Sequence, residues 1–249
     1  KAFYDGMTAE GDTMPISLIR SAWAGSAKYG ALVWSGDIVS TFECFRRQVQ
    51  AGLNMAVAGI PWWTTDIGGF HGARTDDPDF HRLYIRWFEY GCFCPVMRLH
   101  GNRNPQEGYG AEQIGSGSDN EIWSFGDEAY EISKKYIFLR YIRVQMKKAH
   151  EDGTPVMRPV FYDFPTDPES WNVEDAYLFG PDLYVAPVME DHVTEREVYL
   201  PDGTAWFNAW TGEKYEGGQK VTVAAPMDTI PVFVKEGADA EKLLNIFSE

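Results

Sequence analysis

Four short apolar runs, each ending at a polar or glycine-containing turn, divide the first part of the chain. They cover residues 14–19, 31–34, 55–60 and 92–99. Apolar runs of this length that are bounded by turns predict buried β-strands. Residues 1–12, before the first run, have the character of the last turns of a helix. We therefore expect the chain to begin part-way through a fold and to be a fragment of a longer protein.

The segments between these runs carry apolar residues at helical spacing. Ser40 and Glu43 form a capping-box pattern, which predicts a helix that begins there and ends at Gly52. Asp79 is the predicted cap of a second helix, and a third helix is predicted over residues 127–150. Strands that alternate with helices indicate a parallel sheet or a β/α barrel.

The pattern changes after residue 153. Short apolar runs then alternate with turn signals such as Gly-Pro-Asp and Pro-Asp-Gly, which is typical of an all-β sandwich. The last residues return to a helix-like pattern. We therefore expect three parts, with bounds at 1–153, 154–236 and 237–249.

Composition limits the kinds of binding partner and the cellular location that we expect for this chain. The net charge of −15 argues against nucleic acid as a partner, and no apolar window is long enough to cross a membrane. The three cysteines, Cys44, Cys92 and Cys94, are too few for a disulfide framework, and the last two are expected on one face of a strand. Sparse, reduced cysteines favour a cytoplasmic location, although that of a longer parent protein stays open. No zinc, dinucleotide or P-loop motif is present, so no metal and no cofactor are expected.

Polar residues stand at the ends of the four apolar runs: Arg20, Asp37, Asp66 and His100. In a β/α barrel the carboxyl ends of the strands meet at one face, so these four side chains are expected to line one pocket. The alternative is that each is a salt-bridged loop residue or a helix cap. Four such residues at equivalent places favour the pocket.

Several motifs in the chain resemble glycoside hydrolase family 31, a family of retaining α-glucosidases, α-xylosidases and related enzymes. They occur in the same order and spacing as in that family, and they cover nearly the whole chain. The motifs are RSAWAGS at 20–26, WSGD at 34–37, TDIGGF at 65–70, MRLHG at 97–101, GTPVMRP at 153–159 and LYVAPV at 183–188. The resemblance implies an α/β fold, the second half of a (β/α)8 barrel followed by a β-sandwich domain.

The resemblance also implies a role for each site residue. Asp37 is the general acid/base, and the apolar neighbour Trp34 is expected to help to keep it protonated. The other residues hold the sugar in the subsite of the cleaved residue. Arg20 and His100 bind hydroxyl groups, Trp34 and Phe70 form walls, and Asp66 is a supporting or hydroxyl-binding carboxylate.

One part of the family's machinery has no counterpart in this sequence. Retaining hydrolysis needs a second carboxylate about 5 Å from the acid, and in the family it lies on an earlier barrel strand, which is expected to precede Lys1. The implied function is a retaining α-glycosidase acting on terminal α-linked sugars of oligosaccharides, with the missing half of the barrel as a partner. The alternative is a carbohydrate-binding or scaffolding fragment without catalysis. The bulky pair Trp62 and Trp63 favours the α-xylosidase branch over the α-glucosidase branch.

Overall fold

The computed structural model describes residues 1–104, 119–134, 141–237 and 239–247. The helices are α1 Ala2–Ala9, α2 Phe42–Val57, α3 Pro78–Cys92, α4 Gly126–Lys134, α5 Tyr141–Asp152, α6 Val160–Asp163 and α7 Ala240–Phe247. The strands are β1 Ser17–Ile19, β2 Ala31–Trp34, β3 Trp63–Thr64, β4 Met157–Arg158, β5 Tyr177–Phe179, β6 Leu183–Val185, β7 Glu195–Leu200, β8 Ala205–Asn208, β9 Lys214–Glu216, β10 Gln219–Ala224 and β11 Val232–Lys235.

A three-stranded parallel sheet forms the centre of the first half of the chain. Its order is β1-β2-β3, with Leu18 opposite Leu32 and Trp34 opposite Thr64. Helix α2 connects β2 to β3 as a crossover, which is the β/α unit of a barrel. Because the strands are parallel, their carboxyl ends lie at the same edge. The expected β/α architecture of this half is confirmed.

Helix α2 differs from its predicted bounds at both ends. Its N-cap is Thr41, whose hydroxyl accepts a hydrogen bond from the Cys44 amide at 3.1 Å, so the predicted start at Ser40 is one residue early. The helix also continues through Gly52, and the strand predicted over residues 55–60 is wrong. Gly52 lies against the Trp63 ring inside the fold, where the small residue serves packing and does not end the helix.

The N-cap of helix α3 is Asp77, whose carboxylate accepts a hydrogen bond from the Asp79 amide, and Pro78 is the first residue of the helix. Asp79 is therefore not the cap that the sequence predicted. The predicted apolar face of this helix is confirmed because Phe80, Leu83 and Trp87 are buried.

The strand predicted over residues 92–99 is also wrong. Cys92 is the last residue of α3, and the segment that follows it has no regular secondary structure. The predicted common strand face for Cys92 and Cys94 is thus absent. Both residues, like Cys44, are reduced thiols in the structure.

The helix predicted over residues 127–150 corresponds to two described helices. Helix α4 covers the beginning of that range and α5 the end, while residues 135–140 lie outside the described residues. Gly153 follows α5 with φ of +79°, a left-handed conformation that ends the helix and that glycine adopts without strain.

Two antiparallel sheets form the second half of the chain. The six-stranded sheet has the order β4-β5-β6-β11-β8-β9, and β10 pairs with β7 in a second sheet. Buried side chains from both sheets, such as Leu178, Val198 and Phe233, pack together in one core. This is the predicted β-sandwich. Strand β9, which has a polar composition, was not predicted.

The two halves share the largest core of the molecule. Its buried members include Phe45 of α2, Trp87 of α3 and Val232 of β11. Among the described helices, none has both the length and the apolar composition to cross a bilayer.

Candidate active site

The ends of the three parallel strands bring three of the predicted site residues to one edge of the sheet. Arg20 follows β1, Asp37 lies three residues after β2, and Asp66 lies two residues after β3. Gly36 has φ of +80°, so the backbone turns sharply between the end of β2 and Asp37. The side chains of all three then take part in a single group of charged and aromatic contacts.

Asp37 faces a cation. One terminal nitrogen of Arg20 lies 3.2 and 3.3 Å from the two Asp37 carboxylate oxygens. The same guanidinium lies 5.2 Å from the centre of the Trp34 ring. The Asp37 side chain is 44% exposed. The Arg20 guanidinium thus contacts both the Asp37 carboxylate and the Trp34 ring, a cation that the sequence analysis did not place beside the carboxylate.

Asp66 is completely buried and forms an ion pair with Arg98. Burial raises the pKa of Asp66 to about 6, although the positive charges of Arg98 and Arg103 act in the opposite direction. Its Oδ2 atom has no hydrogen-bond partner within the described residues. A buried carboxylate oxygen without a partner is costly, and such an atom is suited to accept a hydrogen bond from a bound hydroxyl group.

Arg98 contacts both the Asp66 carboxylate and the ring of Trp34, which is the last residue of β2. Its guanidinium lies 5.4 Å from the centre of the Trp34 ring. The Arg20 guanidinium also lies over that ring, so one indole contacts the cation partner of each of the two carboxylates. Electrostatic repulsion from Asp37 further raises the pKa of Asp66.

His100 and Phe70 meet on the other side of the site. Their ring centres are 5.4 Å apart. His100 does not lie at the end of a strand as the sequence predicted. Instead its segment runs beside the Asp66–Phe70 loop, with the Asn102 amide donating to the Phe70 carbonyl at 2.6 Å.

The protonation of His100 follows from its surroundings. Partial burial and the positive charges of Arg98 and Arg103 lower the pKa of His100, while Asp37 acts in the opposite direction. The neutral ring is therefore favoured near pH 7. It offers one nitrogen as a donor and the other as an acceptor, which suits the hydroxyl groups of a sugar.

Two arginines of this site were not singled out in the sequence. Arg98 belongs to the MRLHG motif, yet nothing in the pattern distinguishes it from a surface arginine. Arg103 lies three residues after His100 and is 1% exposed. Its partners are largely backbone carbonyls, which leave no signature in the sequence.

The tryptophan pair that favoured α-xylosidase packs elsewhere. Trp63 is buried against Gly52 of α2, and the Trp62 ring stacks on His150 of α5 with ring centres 6.3 Å apart. Both rings therefore pack against helices, Trp62 against α5 and Trp63 against α2.

Among the described residues, no group of three histidine, cysteine or carboxylate side chains could hold a metal ion. The site contains one exposed carboxylate, one buried carboxylate, three arginines, a histidine and two aromatic rings. Such a set can transfer a proton and hold several hydroxyl groups.

Comparison with known proteins gives the family of the chain. The sequence model of the glycosyl hydrolases family 31 TIM-barrel domain matches residues 1–144, and that of the family's C-terminal domain matches residues 153–238. The fold is accordingly part of a TIM barrel followed by a C-terminal β-domain.

Individual relatives agree with this assignment. An alpha-xylosidase of Saccharolobus solfataricus is 37% identical over 96% of this chain and 31% of its own length. Alpha-glucosidase 2 of Bacillus thermoamyloliquefaciens is 34% identical over 90% of this chain and 27% of its own. The structure of a family 31 alpha-xylosidase from a soil metagenome, complexed with xylose, superimposes with a TM-score of 0.91 at 52% identity, over 98% of this chain and 38% of that one.

The chain therefore spans about a third of the length of these relatives. Because the barrel-domain match alone extends over more than half of its residues, the chain belongs to glycosyl hydrolase family 31.

Proposed function

We propose that this chain carries the acid/base side of the active site of a retaining α-glycosidase, which hydrolyses terminal α-linked xylose or glucose of oligosaccharides. The observation that carries the proposal is the pair of Asp37 and Arg20 at the carboxyl edge of the sheet, beside the buried Asp66. We propose the domain bounds 1–153, 154–236 and 237–249 for the half barrel, the β-sandwich and the tail.

Asp37 is the proton donor in this mechanism. A glycosidic oxygen is a poor leaving group until it is protonated, and an exposed carboxyl group at the mouth of the site can reach it. Arg20, which lies 3.2 Å from Asp37, then stabilises the carboxylate that remains after the proton has left. In the second step the same carboxylate takes a proton from the attacking water.

The nucleophile is assigned to a strand outside these 249 residues, as the family resemblance implies. The mechanism requires a second carboxylate about 5 Å from the acid, which attacks the anomeric carbon. Asp66 is not proposed for that step because its carboxylate is ion-paired with Arg98 and buried.

The remaining residues bind the sugar. His100 in its neutral form donates one hydrogen bond and accepts another, and Asp66 accepts a hydroxyl through its unpaired Oδ2 atom. Trp34 and Phe70 are the proposed walls of the subsite. The relative at 52% identity is an alpha-xylosidase with bound xylose, which supports xylose ahead of glucose as the terminal sugar.

The direct test is a comparison of Asp37→Ala with the wild-type enzyme, expressed from its complete gene, on alkyl α-xyloside and α-glucoside. Loss of general acid catalysis lowers kcat/KM by about 10²- to 10⁴-fold. Asp175→Ala is a matched control, since Asp175 is also an exposed aspartate paired with an arginine, at 2.9 Å, but lies in the β-domain. Full activity of Asp37→Ala would refute the assignment.

A second candidate is carbohydrate binding without turnover by the 249-residue chain itself. One observation favours it: the buried Asp66 and neutral His100 provide hydroxyl-binding groups, whereas no sequence motif of a nucleophile is present. Incubation of this chain with aryl α-glycosides tests this second candidate. Turnover that Asp37→Ala abolishes would exclude the binding-only candidate.

A further inference from the structure

Arg103 connects the two segments that carry the sugar-binding residues. One of its terminal nitrogens donates to the carbonyl of Ile67 at 2.8 Å, to that of Gly69, and to that of His100 at 3.2 Å. The first two carbonyls belong to the loop between Asp66 and Phe70. A single buried guanidinium thus links that loop to the backbone of His100.

The other side of the guanidinium is also held in place. Its second terminal nitrogen donates to the Asn120 side-chain oxygen at 3.0 Å, and the Asn120 amide group donates to the Gly101 carbonyl at 3.0 Å. The Phe80 ring of α3 lies 5.0 Å from the guanidinium carbon. The position of Arg103 is therefore fixed from several directions.

The sequence around the guanidinium leaves space for it. A Cβ atom on Gly101 would lie 2.5 Å from the Arg103 guanidinium carbon, and one on Gly68 would lie 3.3 Å from a terminal nitrogen. Gly68 also has φ of +82°, which other residues rarely adopt. Two glycines thus let the loop and the His100 segment close around one arginine.

We propose that Arg103 is a positioning residue, which fixes the Asp66–Phe70 loop and His100 in the one arrangement that binds the sugar. The statement that this arrangement binds a sugar rests on the proposed function, whereas the contacts of Arg103 do not depend on it. The planar guanidinium holds its N–H groups in a fixed fork, so one terminal nitrogen faces the three carbonyls while the other faces Asn120. Lysine in its place would keep the charge and lose this geometry.

The charge of Arg103 supplies a readout that is independent of activity. The charged groups acting on His100 are Arg98 and Arg103, which lower its pKa, and Asp37, which raises it. Removal of the Arg103 charge therefore moves the His100 titration to higher pH. Retention of the charge leaves that titration in place.

The experiment follows the imidazole signals of His100 and the exchange of backbone amides by NMR in the 249-residue chain, for wild type, Arg103→Gln and Arg103→Lys. In Arg103→Gln we expect the His100 midpoint to move to higher pH and the amides of Ile67 and Asn102 to exchange about tenfold faster. In Arg103→Lys the midpoint stays near that of wild type, while the two amides exchange faster as in the Gln variant.

Arg82→Gln is the matched control, because Arg82 is also a hydrogen-bonded arginine of the first half, paired with Asp191 at 2.8 Å. It leaves the His100 midpoint and both amides unchanged. The Ala186 amide of the β-domain, bonded to the Pro231 carbonyl at 3.0 Å, reports global opening.

Unchanged exchange at Ile67 and Asn102 in the folded variants would overturn the proposal, and so would an equal acceleration at Ala186. If Arg103→Gln does not fold, the exchange of the Ile67 and Asn102 amides in Arg103→Lys decides whether the proposal stands. A lack of glycosidase activity in the complete enzyme would refute the proposed function, but it would not alter these NMR results.

Discussion

Asp66 is a buried carboxyl group whose protonation is strongly altered by its surroundings. Burial raises its pKa from 3.8 to about 6. Between these two pH values the Asp66 carboxyl is therefore mostly protonated in the folded chain and mostly ionised in the unfolded chain. The contribution of this carboxyl to folding is therefore most favourable below about pH 4, and it declines as the pH rises through about 6. A shift of about two units corresponds to ~3 kcal/mol.

Replacement of Asp66 by Asn removes this pH dependence, since the amide resembles the protonated acid. We expect the free energy of unfolding of Asp66→Asn, relative to wild type, to increase by ~3 kcal/mol between pH 4 and pH 7. Urea unfolding of both proteins across this range measures it. A difference that stays constant with pH would contradict the raised pKa.

At the residue scale the apolar pattern identified the polar groups that follow apolar runs, and the family resemblance added Trp34 and Phe70. Arg20, Asp37 and Asp66 were found because a polar side chain after a buried strand is visible in the pattern. Arg98 and Arg103 were missed because their partners are a distant carboxylate and backbone carbonyls, and neither kind of partner leaves a local pattern.

At the scale of single elements, Gly52 allows helix α2 to pack closely against a neighbouring strand. Gly52 lies in the middle of the helix, and a Cβ atom there would lie 2.8 Å from two atoms of the Trp63 indole. Trp63 belongs to β3, directly before the loop that carries Asp66. The missing side chain therefore lets α2 pack closely against the strand that positions the buried carboxylate.

We expect Gly52→Ala to destabilise the chain by about 1–3 kcal/mol, because the overpacking outweighs the better helix propensity of alanine. Gly6→Ala in α1 is the matched control, since a Cβ atom there has no neighbour within 4 Å, and it should stabilise by about 0.5–1 kcal/mol. Urea unfolding measures both. Stabilisation by Gly52→Ala would contradict the packing account.

Element bounds were predictable only where local chemistry determined them. The strand at residues 31–34 was found because turns bound it on both sides. Gly52 was misread as a helix end since the rule for C-terminal glycines cannot detect a contact with a distant tryptophan. The segment 92–99 buries residues 93–95 without pairing with a strand, and burial of this kind looks the same in a sequence as a buried strand.

At the scale of the whole molecule, one buried arginine of α3 links the half barrel to the β-domain. Arg86 of α3 lies 3.2 Å from Glu89, and both side chains are buried. The same guanidinium donates to the carbonyls of Pro226 at 2.9 Å and Ala225 at 2.7 Å, which lie between β10 and β11. The second domain is thus attached to the helix that packs beneath the candidate site.

Arg86→Met leaves Glu89 buried without this cation, and we expect it to lower the free energy of unfolding by about 3–5 kcal/mol. Arg47→Met is the control, because Arg47 pairs with Glu43 on the exposed surface of α2 and should cost less than about 1 kcal/mol. Urea unfolding with tryptophan fluorescence compares them. Equal effects of the two substitutions would contradict the role of Arg86 as a tie between domains.

The order of domains was predictable because the period of the apolar pattern changes from helical to strand spacing near residue 153. The family membership followed from joined motifs, of which each alone is modest. What the pattern could not supply is the contact of α3 with the segment between β10 and β11, since it is made by one arginine and carbonyls 139 or more positions away.

The central claim, that Asp37 donates the proton to the leaving oxygen, is tested most directly by a series of leaving groups. The measurement is kcat/KM of wild type and Asp37→Ala, in the enzyme from the complete gene, on aryl α-xylosides whose phenols span a range of acidity. General acid catalysis matters most for basic leaving groups. We predict a loss of about 10²- to 10⁴-fold for the least acidic phenol that shrinks steadily towards the most acidic one. A loss of equal size across the whole series would contradict the assignment of Asp37 as the general acid.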